Sequence, residues 1–200
     1  MLRTLLLLCL CTLASAVPCI KPNELHGLHE TYSRSLMLAH AIHQDVLNLL
    51  APYEEQLGIN GSQVPNLFMS GLPSCAVNYI DWLSLEDAAR LQQDSEYLQL
   101  FNRHIDACCS SKLQLGAEYS LPLELLQLNI RDLQVQITEQ LKLLQQPAVY
   151  RAASPPAPLC NRESLWVSRM QGYIVLRGLE KCVQKVVRDY TRLRSQQQQQ

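Results

Sequence analysis

The chain has 200 residues, 48% of them apolar, and a net charge of −1. That length builds one domain with a real core, and the near-neutral charge excludes a large nucleic-acid footprint. Only 7 glycines, beside abundant Leu and Gln, argue against glycine-loop enzymes and turn-rich β folds and in favour of helices.

Residues 1–16 read MLRTLLLLCLCTLASA. Arg3 is a basic start, Leu5 to Leu13 an apolar run, and Ala14-Ser15-Ala16 a small-x-small cleavage pattern. The run is too short to span a bilayer, so a cleaved signal peptide is preferred to an anchor or a buried helix. No later segment is apolar enough to hold the chain in a membrane, and the expected destination is the extracellular space. Cys9 and Cys11 leave with the leader. Cys19, Cys75, Cys108, Cys109, Cys160 and Cys182 stay, an even set that an oxidising compartment turns into disulfides. No C-x-x-C spacing supports zinc. Cys108 and Cys109 are adjacent, and a bond between them would force a strained ring, so separate partners are expected. Asn60-Gly61-Ser62 is the only glycosylation sequon.

From Glu24 to Leu57, apolar residues fall at Leu28, Tyr32, Ala39, Ile42, Val46, Leu49, Leu50, Tyr53 and Leu57. Steps of three, four and seven make one face of a helix, which Gly58 is suited to end. Pro52 lies inside the pattern and removes a hydrogen bond or kinks it. Residues 59–83 carry Gly, Pro, Asn and Ser without a helical period and read as a long connection. Ser84 with Asp87 opens a second helix in the manner of a capping box; it runs to Cys109 with Leu91, Leu98, Phe101, Ile105 and Cys108 inward. A short connection over 110–120 follows. The third helix spans Leu121 to Gln146, with Leu126, Ile130, Leu133, Ile137, Leu141 and Leu144 as its core stripe. Pro147 and the Pro-rich stretch beyond it end that helix. The fourth runs from Glu163 to Arg194 on Leu165, Leu176, Leu179, Val183, Val186 and Tyr190. Residues 196–200 are glutamine and are expected to be disordered.

Loop lengths constrain the topology. A helix of this size spans about 37 Å, and a crossover between parallel neighbours takes at least about 11 extended residues. The first and third connections are long enough, while the second suits an antiparallel turn. Long, short, long predicts an all-α, long-chain four-helix bundle, up-up-down-down, with two long crossover loops. In that arrangement Cys108, Cys109 and Cys160 fall at one end and Cys19 and Cys75 at the other, with Cys182 part-way along the last helix. A bond from Cys160 to Cys108 or Cys109 is expected.

Catalytic patterns are missing: there is no G-x-S-x-G, no H-E-x-x-H and no phosphate loop. His26 with His29, and His40 with His43, have i,i+3 spacing but no arranged carboxylate or cysteine, so they read as surface histidines. No cofactor or metal is expected, and the chain is not read as an enzyme. Outward apolar residues say more. At about 100° per residue, Leu128 and Val135 lie opposite the core stripe of the third helix, and Met37 does the same on the first. Trp166 lies about 100° off the stripe of the last helix, on the flank with Tyr173, and Arg169 sits between. Trp and Arg are enriched in interface hot spots; the structural alternative is a Trp that closes the core beneath a loop. Lys181, Lys185, Arg188 and Arg192 form a basic face that suits a helix C-terminus and also an acidic partner.

Three stretches carry a resemblance: SRSLMLAHAIHQDVLNLLAPYEEQLGIN (33–60), WLSLEDAARLQQDSEYLQLF (82–101) and LWVSRMQGYIVLRGLEKCVQKVVRDYTRL (165–193). In order and spacing they resemble the interleukin-6 family of helical cytokines, in its branch of ciliary neurotrophic factor and cardiotrophin-like cytokine. The leader and cysteines are similar to those of secreted members such as leukaemia inhibitory factor and oncostatin M.

The resemblance implies a cytokine domain over 17–195. It would be a monomer before it meets receptors, and would join glycoprotein 130 to the leukaemia inhibitory factor receptor or a related chain, triggering kinase signalling. The family's Phe-x-x-Lys contact for the second receptor is represented by Trp166 and Arg169. Met37, Leu128 and Val135 correspond to the glycoprotein 130 surface. The late part of the last helix (Lys181, Lys185, Arg188), with the first crossover loop, corresponds to the face for a non-signalling alpha receptor. Cys182 stands where ciliary neurotrophic factor has Trp. A growth-hormone-like ligand and a secreted helical lipid carrier are the alternatives.

Overall fold

The computed structural model describes residues 22–60, 69, 71–109, 116–145 and 164–197. The expected signal peptide, Cys19, Cys160, and Gly61 and Ser62 of the sequon lie outside the described residues. Four long helices are α1 (Pro22–Leu57), α3 (Asp87–Cys108), α4 (Ser120–Leu143) and α5 (Leu165–Gln197). A six-residue helix, α2 (Tyr79–Ser84), lies in the first crossover, and a 3-10 turn, Ala117–Tyr119, leads into α4.

The first helix ends as its residues dictate. Gly58 takes φ +64, where a side chain would be strained. Its amide donates to the Glu55 carbonyl, and the Ile59 amide reaches back to Glu54 at 3.0 Å, closing the last carbonyls in a Schellman motif. Pro52 is accommodated within α1. Two boundaries differ from the periodicity. Ser84 does not cap α3; its hydroxyl donates to the Asp81 carbonyl and closes α2, while Glu86 takes the extended N-cap position. The last helix continues through Gln197, because glutamine propagates an established helix at little cost.

Cross-helix bonds fix the direction of every helix. Between α1 and α4, Ser35 meets Gln136 at 2.6 Å and Asp45 meets Asn129 at 3.0 Å, so one number rises as the other falls. The same reversal links α1 to α5 through His43–Gln184 and Glu54–Tyr173. It links α3 to α5 through Arg90–Asp189 and Asp94–Lys185. It links α3 to α4 through Ser95–Gln134 and Asp106–Gln127. Thus α1 and α3 are both antiparallel to α4 and α5, and the bundle is up-up-down-down.

The expected stripes fill the centre. Leu28, Tyr32, Ile42, Val46, Leu91, Phe101, Leu126, Ile130, Leu133, Leu176, Leu179 and Val183 are all buried, each large aliphatic one contributing about 1.5–3 kcal/mol. Leu165 departs from its expected stripe and is 48% exposed. One disulfide, Cys75–Cys182, ties the first crossover to α5. Cys108 is also disulfide-bonded. Cys109 is a free, buried thiol, which corrects the expectation of separate partners for the adjacent pair. It is buried in the bundle, where the Tyr53 hydroxyl is its hydrogen-bond partner.

Candidate functional site

Three outward surfaces carry the residues singled out in the sequence. At the start of α5 the helical phase turns Ser168 inward and Trp166 outward, and Trp166 is 56% exposed. The alternative of a Trp closing the core is thereby set aside. Leu165 extends the apolar spot. Arg169 is half-buried, and its charge lies close enough to act on the Tyr53 hydroxyl of α1. Tyr173, expected on the same flank as Trp166, is instead buried against α1, its hydroxyl donating to Glu54 at 3.3 Å.

The second surface is the outer side of α1 and α4. Met37, Leu128 and Val135 are all exposed, as expected. The Ser35–Gln136 bond sets Met37 level with Val135. Leu121 and Leu125 are exposed on the same helix; their spacing of seven and three from Leu128 was the signal that could have added them.

The third surface combines α2 with the end of α5. Tyr79, Ile80 and Leu83 are exposed on α2, whereas Trp82 is buried. Lys181 and Arg188 face outward on α5. Lys185 does not: its side chain is 2% exposed, and its ammonium lies 2.7 Å from Asp94 and 2.6 Å from Asp189. The assignment of Lys185 to a partner-facing surface is corrected, because its cation is consumed in holding α3 to α5. Asp189 accepts from Lys185 on one oxygen and from Arg90 and the Trp82 indole on the other. The Trp82 ring also meets the guanidinium groups of Arg90, Arg188 and Arg192, 5.0, 4.9 and 5.6 Å from its centroid. Such cation–π contacts gain strength where water is excluded.

Electrostatics follow from burial. Desolvation pushes the Asp94 carboxyl up to about 7; Lys185 pulls the other way and the Asp189 charge adds to the rise. Burial works against the Lys185 ammonium, yet Asp94 and Asp189 outweigh it and hold the amine above its ordinary value. Sequence reading missed this cluster, although i,i+4 spacing of Arg90 with Asp94 and of Lys185 with Asp189 was visible. Period alone does not show which charged residues a neighbouring helix buries.

Among the described residues, no group of three or more His, Cys, Asp or Glu could hold a metal ion. His40 is exposed and His43 half-buried. An open groove of about 560 Å³ between α3 and α4 is lined by Gln92, Arg103, Arg131 and Gln134 together with the apolar Val135 and Leu141. Among the described residues, no helix is long and apolar enough to cross a membrane.

An up-up-down-down bundle of long helices, with apolar and basic patches on its outer faces, has the form of a long-chain helical cytokine. The chain belongs to the ciliary neurotrophic factor family, whose model matches residues 21–200. Compared with the curated proteins, it matches none. Family membership makes it a non-enzymatic ligand of cytokine receptors that acts outside the cell.

Proposed function

We propose that this cytokine is secreted after cleavage following Ala16 and assembles glycoprotein 130 with the leukaemia inhibitory factor receptor or a related chain. Proximity is the mechanism: separate faces bind separate receptors and bring their kinase-bearing tails together. The observation that carries the reading is the exposed Trp166 beside Arg169 at the start of α5. An indole presented with a cation three residues on suits a hot spot. Met37, Leu128 and Val135 serve glycoprotein 130. Lys181, Arg188 and the exposed side of α2 serve an alpha receptor; Arg188 already clasps Trp82 and joins the two parts. Asn60 is exposed and suited to carry a glycan.

The test is binding of the secreted protein to each receptor ectodomain, with Trp166→Ala and Arg169→Ala beside it. Both variants should fold like the parent, lose the second receptor at least tenfold and keep glycoprotein 130. Unchanged binding to every receptor by both folded variants would sink the assignment.

A further inference from the structure

A helix of six residues does not hold itself together in water, so α2 must be seated by what it touches. Its outer residues Tyr79 and Ile80 are exposed, and the buried Trp82 is its anchor. Beneath the indole, the charges are stacked in two layers. Asp189 and Arg90 form the first, bonded at 2.7 Å. Arg90 also donates to the carbonyls of Trp82 and Leu85, at 2.8 and 3.1 Å, and Arg192 donates to Leu83 at 3.2 Å, so two guanidinium groups hold the end of α2. One turn deeper, Lys185 is shared between Asp189 and Asp94. Asp94 is fully buried, and its Oδ2 has no hydrogen-bond partner. One ammonium therefore serves two carboxylates, one of which keeps an unfilled oxygen able to take a proton.

We propose that seating of α2 is linked to protonation of Asp94, so that this face of the cytokine closes more tightly as pH falls. Lifting Trp82 opens Asp189 and Arg90 to water and gives water a path to Asp94. A solvated Asp94 is an ordinary carboxylate, whereas the buried one is pushed up to about 7, burial being the main cause. The closed form therefore holds the proton more tightly than the open form, and acid favours closing. The groups facing Asp94 are Lys185, Asp189 and Tyr190 of α5. Arg90 stands one turn back on α3. Across α1, Tyr32 packs its ring on Tyr190 at 6.0 Å, and from α4 Gln140 accepts the Tyr190 hydroxyl. Burial holds both tyrosines above their ordinary range, so they stay neutral throughout. The meaning of the linkage for receptors rests on the alpha-receptor reading of α2; the linkage itself does not.

Hydrogen exchange of the Trp82 indole N–H, followed by NMR from pH 8 to pH 5 and corrected for the intrinsic rate, measures the seating. Protection should rise by up to about tenfold per pH unit below neutral, and Asp94→Asn should abolish that slope. The Asp94 carboxyl carbon of the unaltered protein, titrated by NMR, should turn over near neutrality. Flat protection in the parent, the same slope in Asp94→Asn, or a carboxyl that titrates in the ordinary aspartate range would each overturn the proposal. Should Asp94→Asn fail to fold, the exchange and titration of the parent decide. None of these measurements uses a receptor. An alpha receptor indifferent to Ile80→Ala and Leu83→Ala would count against the binding reading and leave the linkage standing.

Discussion

Arg90 of α3 and Asp189 of α5 meet at 2.7 Å with neither side chain exposed. Asp189 bonds Arg90, Lys185 and the Trp82 indole together. Asp189→Ala leaves a guanidinium buried without its partner and an ammonium with one carboxylate fewer. Breaking such a pair from one side costs about 3–5 kcal/mol. Urea unfolding should show a loss of that size; a loss below about 1 kcal/mol would mean that water already reaches the cluster.

Gly172 of α5 faces Tyr53 of α1 so closely that a Cβ would stand 2.5 Å from the tyrosine hydroxyl and 2.9 Å from its ring carbon. Tyr53 is fully buried and cannot step aside cheaply. Gly172→Ala should therefore destabilise by about 1–3 kcal/mol through overpacking, despite the better helix propensity of alanine. Calorimetry checks it: a melting temperature equal to or above the parent's would show that the two helices separate freely.

Burial pushes the Cys109 thiol up to about 12, against the opposing pull of its hydrogen bond with Tyr53. Thiolate is the reactive form, so a thiol reagent at pH 8 should leave Cys109 untouched until the protein unfolds. The stability sign follows. Above about pH 8.5 the unfolded chain releases this proton and the folded chain keeps it, so this group makes stability fall as pH rises toward 12. Cys109→Ser should flatten that part of the pH profile. Rapid labelling of the native protein would contradict the burial.

Cys75 and Cys182 close a loop with a sequence separation of 107. Replacing both by serine should cost about 2–5 kcal/mol in denaturant unfolding. The same change frees one anchor of the first crossover, so hydrogen exchange over 76–85 should quicken more than in α4. Equal quickening everywhere would assign the disulfide a global effect only.

Much of this molecule could be read from spacing. Leu28 through Tyr53, Leu91 through Ile105 and Leu126 through Leu141 repeat at three and four, and a helix that buries one side has no other way to arrange them. The same arithmetic turned Met37, Leu128, Val135 and Trp166 outward, because phase on a helix is a local property. Connection lengths limited the order of the four helices, since a chain cannot cross a bundle in fewer residues than its length requires.

Tertiary structure decided what lies between helices. Lys185 and Arg188 are three residues apart and equally basic, yet one is buried between two aspartates and the other lies over the Trp82 ring. Their difference depends on α3 and α2, whose contributing residues are 91 positions away in one case and further in the other. The helicity of α2 also escaped a reading by period, because six residues are too few to show one and the segment is seated by Asp189, Arg90 and Arg192 of other helices. The choice of Cys182 as partner for Cys75 was open for the same reason: spacing ranks ends of a bundle, but only packing brings two sulfurs together.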